Sequence, residues 1–544
     1  MKTSALTSIA VIGGVAAATC PAATTAVSRP NVLYITVDDL RLNLRCFGDT
    51  AAITPNIDAL AARGTRFARA YVQQAVCNPS RQSVLTGCRP DTIRVWDLRA
   101  NFRKTSPDII PLPEHFKRNG YFTQGIGKIY HDGMDDPRSW SVPALHASVP
   151  KVEDYRLPEN RAPRKGQKGQ KAAATEFMDA PENEYPDGKV ATDAVAAIEK
   201  LAARPGAAQP FFLAVGIRKP HAPFTAPKKY WDLYDPAKIP PIERAAPPDG
   251  APAVALHDSV ELRGYSDMPK AGDFTPEQIA RLRHGYYAAT SFADAQIGRV
   301  LDALRRTGLD KNTVIVLWGD HGYHLGEHGL WCKTTCYEAD TRVPFIIATP
   351  DDRPRGVRTD ALVEALDIYP TLVELCDLPP REKLEGKSLV PNLGDASASG
   401  RDVARSQFPR PWPLKKDGSP AVMGYAARTA THRYVEWRKS GTPEVVAREL
   451  YAYEGDQLFE TENLAARPEC AGLVRRLAAL IMPKTALLET QKLFPAVPDN
   501  RPDYRISSIT RAPHGDIYNM RAHDVSRAEM PALPGKAFMT HGPQ

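Results

Sequence analysis

Cys77 opens the run Cys77-Asn78-Pro79-Ser80-Arg81-Gln82-Ser83-Val84-Leu85-Thr86-Gly87. It sets a thiol four residues before an arginine, at the head of a stretch that can start a helix. A fixed cation and a helix N-terminus both favour an anion held there. The alternative for a free cysteine is burial as a small apolar residue. Asp38-Asp39 follows an apolar run; adjacent carboxylates repel, and a divalent cation relieves them, although Asp also fills turns and helix caps. Asp320-His321-Gly322 follows a second apolar run and offers a third carboxylate and an imidazole. Lys128 and His131, in Gly120-Tyr121-Phe122-Thr123-Gln124-Gly125-Ile126-Gly127-Lys128-Ile129-Tyr130-His131, add a cation and an imidazole, as do Lys333 and Lys219-Pro220-His221. Any one of these alone reads as an ordinary loop or structural residue; together and in order they do not.

Together the runs resemble the signatures of the type I sulfatases of the alkaline-phosphatase superfamily, in the iduronate-2-sulfatase-like branch. The resemblance runs from about Pro30 to about Pro483. It is carried by Asp38-Asp39-Leu40-Arg41, Thr54-Pro55-Asn56-Ile57-Asp58, Cys77 through Gly87, and Arg89-Pro90-Asp91-Thr92. It continues in Lys219-Pro220-His221, Asp320-His321-Gly322, Leu325-Gly326-Glu327-His328-Gly329, Asp367-Ile368-Tyr369-Pro370-Thr371 and Ser406-Gln407-Phe408-Pro409-Arg410-Pro411. His321 follows this branch, where many other sulfatases have Asn.

The resemblance implies a Ca2+ ion held by Asp38, Asp39, Asp320, His321 and an oxygen of modified Cys77. It implies that a maturation enzyme oxidises Cys77 to formylglycine, whose hydrate attacks sulfur and then expels sulfate with help from His131. Arg81 and Lys128 would hold the hydrate and sulfate oxygens, and His221 would protonate the leaving alcohol. Lys333 would bind sulfate or a neighbouring carboxylate, with Lys219 and Tyr323 also on the substrate side. Tyr323 departs from the family, since iduronate-acting members have Trp there; Leu330 and Cys332 also depart, which puts the sugar in doubt. The implied substrate is a sulfated glycan, a uronate 2-sulfate or a related sugar. The rival readings are a phosphate or phosphonate monoester hydrolase of the same superfamily and an inactive sulfoglycan-binding protein.

To bring such scattered residues together, the chain needs a sheet. Val32 to Val37, Phe211 to Val215, Thr313 to Trp318 and Pro344 to Ala348 are short apolar runs that predict buried strands. Three of them end on Asp38-Asp39, Arg218-Lys219-Pro220-His221 and Asp320-His321. Sites in open α/β sheets gather at the carboxyl ends of strands. Helices are predicted over Pro55 to Gly64, over Thr275 to Thr307, and over Leu362 to Leu378 with a break or restart at Pro370. The expected fold is α/β, an alkaline-phosphatase-like large mixed sheet flanked by helices, with a smaller C-terminal α+β subdomain. Its expected parts are a signal peptide over 1–26, a catalytic domain over 29–395, a subdomain over 400–495 and a Pro-rich tail over 496–544. Within the subdomain, Gly424 to Trp437 and Glu449 to Tyr453 read as β-rich and Ala471 to Ile481 as a helix. Arg161 to Lys171 and Pro240 to Pro252 read as exposed loops and candidate rim segments.

A length of 544 residues suggests two domains. A charged fraction of 24% and an apolar fraction of 43% are those of an ordinary soluble enzyme. The net charge of +7 suits an anionic substrate, but Lys and Arg are scattered, against a nucleic-acid surface. Lys2 and the small apolar stretch Ala5 to Ala18, followed by Ala22, Ala23 and Ala26, read as a secretory signal rather than a membrane span; Thr19-Cys20 offers a lipoprotein cysteine as the lesser alternative. Export to the periplasm or medium follows, and permits disulfides among the eight cysteines. Cys332 and Cys336 could pair or remain two thiols.

Overall fold

The computed structural model describes residues 29–149, 151–161, 171–204, 209–414 and 418–481, with two strands of the tail, 506–511 and 518–522. The expected signal peptide, the body of the expected loop from Arg161 to Lys171 and most of the expected tail lie outside the described residues.

The large sheet is built from β1 (Asn31–Val37), β2 (Thr65–Tyr71), β3 (Phe122–Gly127), β4 (Phe211–Ile217), β5 (Thr313–Gly319), β6 (Arg342–Val343), β7 (Phe345–Ala348) and β8 (Val357–Glu364). Their order is β6-β2-β7-β5-β1-β4-β3, with β8 also paired to β2. The centre, β5-β1-β4-β3, is parallel, and β7 runs antiparallel to both β5 and β2. Strand residues alternate between faces, so Tyr34, Phe212 and Val316 enter one core while Leu33, Leu213 and Leu317 enter the other. Both faces are covered, which is why these strands read as unbroken apolar runs rather than as alternating ones.

Helix α1 (Pro55–Arg63), α3 (Pro186–Ala202) and the long α4 (Pro276–Arg306) cover one face; α2 (Cys77–Thr86) and α5 (Ile368–Leu375) cover the other. Thr275 caps α4 through a reciprocal pair with Gln278, and Pro276 takes the first helical position. The helix expected over Leu362 to Leu378 is shorter. Leu362 to Glu364 belong to β8, and Pro370 sits in the first turn of α5, where a missing N–H costs nothing.

A second, separate antiparallel sheet follows: β9 (Ala404–Arg410), β10 (Val422–Arg428), β11 (His432–Lys439) and β12 (Val445–Ala452). Helix α6 (Ala471–Leu480) packs on it through Leu477 beside Tyr434 and Leu450. Buried Glu338, from the catalytic domain, accepts from Arg428 at 3.0 Å and from Arg433 at 2.5 Å, which ties the second sheet to the first. None of the described cysteines is in a disulfide. Cys332 accepts from the Tyr323 hydroxyl and Cys336 lies against the Gly424 carbonyl, so these two are thiols. Among the described residues no helix is long and apolar enough to cross a membrane.

Candidate active site

Neighbouring parallel strands end side by side, and their C-terminal residues form the floor of the site. Asp38 and Asp39 follow β1, Asp320 and His321 follow β5, and Arg218 follows β4. Asp320 N–H donates to the Val37 carbonyl and Asp38 N–H to the Ile217 carbonyl, so the three chain ends are fixed to one another. Lys128 arrives from the end of β3. There, Gly127 has φ +84, and a Cβ on it would lie 2.1 Å from the Gly216 oxygen; a Cβ on Gly216 would lie 2.3 Å from the Lys128 carbonyl carbon. Only a pair of glycines lets these two chains come so close.

Cys77 is the first residue of α2, after Val76 in extended conformation. The whole helix is buried, and Arg81, one turn on, has no exposed surface. Its guanidinium donates to Asp320 Oδ2 at 2.8 Å, to Asp38 Oδ1 at 3.2 Å and to the Ile129 carbonyl at 3.2 Å. Ser80 donates to the Asp320 carbonyl and Lys128 to Asp38 Oδ2, both tightly.

The thiol itself is not an anion. Burial, with Asp38 beside it, pushes Cys77 well above the ordinary thiol range. Arg81, expected to stabilise a thiolate, is occupied by the two aspartates. As cysteine, residue 77 is a poor nucleophile.

Cys77 Sγ lies 3.3 Å from His321 Nε2. His321 Nδ1 faces the Gly322 carbonyl at 2.9 Å, which assigns the ring proton to Nδ1 and leaves the Nε2 lone pair pointing into the cluster. One donor atom each from Asp38, Cys77, Asp320 and His321 lies within 4.8 Å of all the others, as do donor atoms of Asp39, Cys77 and His221. Asp39 Oδ1 is buried with no hydrogen-bond partner, and burial pushes this carboxyl up to about 7. Burial would also raise Asp38, but Lys128 and Arg81 hold it well below the usual range. Converging carboxylates, an orphaned carboxylate oxygen and an imidazole lone pair are the donor set of a hard divalent cation, and these residues fit one.

On the opposite side stand His221, Lys333 and a residue with no motif, Glu261. Lys333 donates to Asp39 Oδ2 at 3.1 Å and to Glu261 Oε2 at 2.9 Å, and its Nζ lies 3.4 Å from His221 Nε2. Glu261 Oε1 is 3.4 Å from His221 Nε2. His221 Nδ1 meets the Ala222 carbonyl at 2.6 Å, so Nε2 is the nitrogen that faces the site. Burial and then Lys333 push this imidazole well below its ordinary value. Lys333 lies between two non-glycine residues with left-handed backbone, Cys332 at φ +73 and Thr334 at φ +96, the sort of strain that persists where a side chain must be aimed. His131 stands near Lys128; burial, then that cation, lowers it to about 3, and its Nδ1 has no partner.

Two expected substrate-binding residues are placed otherwise. Lys219 donates to the His221 carbonyl at 3.1 Å and to the Pro223 carbonyl at 2.7 Å, and it forms an ion pair with Asp154 at 3.1 Å. It braces the turn that carries His221. Tyr323 has no exposed surface; its ring stacks on Tyr286 at 5.7 Å and its hydroxyl donates to Cys332 Sγ at 3.3 Å. It supports Lys333 from behind, with Nζ 5.8 Å from the ring centre. Glu261 was missed because it lies on a single turn, Val260–Arg263, inside a loop whose sequence carries no family signature.

The sulfatase family model matches residues 30–378, and the model of the N-sulphoglucosamine sulphohydrolase C-terminal domain matches residues 326–484. This chain belongs to the sulfatase family. It is a sulfuric ester hydrolase by that membership. Iduronate 2-sulfatase of Mus musculus is 35% identical over 521 residues, 82% of this chain and 93% of that protein. Among solved structures, a phosphonate monoester hydrolase of Agrobacterium radiobacter superposes with TM-score 0.68 at 24% identity, over 86% of this chain and 96% of its own. A 2-O glycosaminoglycan sulfatase superposes with TM-score 0.62 at 22% identity, over 83% and 91%. At these identities the two structures speak for the sulfatase's fold, an alkaline-phosphatase-like sheet with a smaller C-terminal sheet domain.

Proposed function

We propose that this sulfatase removes sulfate from a uronate 2-sulfate or a related sulfated sugar of a glycan, with formylglycine at position 77 and one calcium ion. The observation that carries the reading is the Cys77 side chain, 3.3 Å from His321 Nε2, among Asp38, Asp320, Arg81 and Lys128. The likeness to iduronate 2-sulfatase supports the sugar class. A formylglycine hydrate would supply one hydroxyl to attack sulfur and a second through which sulfate is expelled, an exit that an ordinary serine lacks. Calcium, held by Asp38, Asp39, Asp320 and His321 with an oxygen of residue 77, would draw negative charge off the reacting oxygens.

The chain's own residues do the rest. Arg81, fixed by two carboxylates, and Lys128 keep positive charge beside residue 77 in the buried part of the site, where it would count most as the S–O bond breaks. His131, held neutral by burial near Lys128, would take the proton from residue 77 when sulfate leaves. His221 Nε2 faces the leaving side, 3.4 Å from Lys333 Nζ and from Glu261 Oε1, and would return a proton to the sugar oxygen after first taking one up at Nε2 from that neighbouring pair. Lys333 holds a sulfate oxygen there. The protein is read as exported, to the periplasm or medium, after a formylglycine-generating enzyme has acted on it.

The test is sulfate release from disaccharides carrying 2-sulfated iduronate, 2-sulfated glucuronate or 6-sulfated glucosamine, before and after chelation. Release from a 2-sulfated uronate that calcium restores is the expected result. Release from none of the three, by protein carrying the modification, would refute the glycan assignment.

A further inference from the structure

Glu261 is a carboxylate that the hydrolytic scheme does not use, yet it sits in the reaction chamber. Its side chain keeps 27% of its surface exposed, whereas Lys333 and Asp39, its neighbours, keep 2% and none. It is therefore an anion at the mouth, touching the innermost cation. The groups facing it are Lys333 at 2.9 Å and His221 at 3.4 Å, with the Lys171 ammonium, which donates at 2.9 Å to the Glu261 backbone carbonyl, as a further positive charge close by. The charge of Lys333 is thus shared between two carboxylates, Asp39 and Glu261.

We propose that Glu261 selects the charge of the substrate, admitting a singly charged sulfate ester and repelling a doubly charged phosphate ester. This deepens the sulfate-ester reading above and rests on it. An ester oxygen bonded to Lys333 would lie within about 6 Å of the Glu261 carboxylate, since each hydrogen bond spans about 2.9 Å. A sulfate monoester carries one negative charge at any working pH, whereas a phosphate monoester above its second pKa, near ~6, carries two. The second charge meets Glu261 at a distance where Coulomb repulsion is still strong in a partly dry site. Among the described residues, Asp38, Asp39 and Asp320 sit in the ligand clusters, whereas Glu261 lies outside them, against Lys333 and His221.

The test measures binding, so that it does not depend on the maturation of residue 77. In full-length Cys77→Ala protein with calcium present, the dissociation constants of phenyl sulfate and phenyl phosphate are measured by calorimetry at pH 8. Adding Glu261→Gln should shift their ratio at least about tenfold toward phosphate. Glu261→Ala makes the same charge change by another shape and should shift it the same way, while Glu261→Asp should keep the parent ratio. A ratio unmoved within twofold in both neutral variants would overturn the proposal and leave Glu261 as a brace for Lys333. Failure of the Cys77→Ala parent to bind phenyl sulfate would instead overturn the sulfate-ester reading, and the proposal with it.

Discussion

The two halves of the chamber are built differently. What the proposed scheme makes the sulfur side consists of Asp38, Asp320, His321, Arg81 and Lys128, carried on the ends of adjacent strands and on the buried helix α2, and every one of them is at most 2% exposed. What the proposed scheme makes the leaving-group side consists of His221, Lys333 and Glu261, carried on a turn, a strained loop and a single helical turn, and two of its members reach solvent. Rigid strand ends suit a task that is the same for every sulfate ester. Loops suit the part that must differ with the sugar, because they can change without disturbing the sheet.

The largest effect should come from breaking the sulfur side. Arg81→Ala leaves Asp38 and Asp320 buried without their shared cation, and should cost about 3–5 kcal/mol of stability. Turnover should fall by about 10³-fold or more on every ester. Denaturant melts and rates on an aryl and a sugar sulfate measure both; equal losses on the two esters are the expected signature.

His221→Asn should separate the halves. Its loss should lower turnover by about 10²–10³-fold on a sugar sulfate, whose alkoxide needs a proton, and by less than about tenfold on 4-nitrophenyl sulfate, whose phenolate does not. A loss independent of the leaving group would place His221 on the sulfur side instead.

The buried pair of Arg41, two residues after Asp39, with Glu327 should respond to acid; Arg41 also donates to the Tyr323 carbonyl at 3.0 Å. Burial would raise Glu327, but its pair with Arg41 at 3.0 Å holds it at about 2, against 4.5 ordinarily. A folded pKa below the unfolded one gives stability that is whole above about 4.5 and is lost as pH falls toward 2; for this group it is about 3 kcal/mol. Glu327→Gln should therefore lower stability at pH 7 and flatten its dependence between pH 5 and 3, read from urea melts. An unchanged slope would remove Glu327 from the account.

The smallest effect is expected at Tyr323→Phe. Among the described residues the hydroxyl bonds to Cys332 alone, so KM for a sugar sulfate should change by less than about twofold, and stability by about 1 kcal/mol or less. A tenfold rise in KM would restore Tyr323 to the substrate.

Legibility followed the same division. Cys77, Arg81, Asp38 and Asp320 could be read because each lies in a contiguous run or directly follows an apolar strand, so local sequence carries the signal. The strands Asn31–Val37, Phe211–Ile217 and Thr313–Gly319 stood out because both of their faces are buried. Strands β2 and β3 did not: Thr65–Tyr71 mixes arginines with apolar residues and Phe122–Gly127 holds two glycines, and tertiary pairing overrides such weak local preference. Glu261 was invisible because its role depends on a loop folding back some seventy residues ahead of Lys333, and the orientation of Tyr323 because the packing of Tyr286 and Phe224 decides it.

The central claim is that residue 77 acts as an aldehyde hydrate and not as a thiol, whose ionisation the buried aspartate and the dry site oppose. The mass of the tryptic peptide containing residue 77, from protein made in its own host, tests it most directly. A peptide about 18 Da lighter than the cysteine form, the change expected when oxidation of the thiol proceeds to the aldehyde, in protein that releases sulfate is the predicted result. An unmodified thiol in folded protein that hydrolyses sulfate esters at full rate would contradict it.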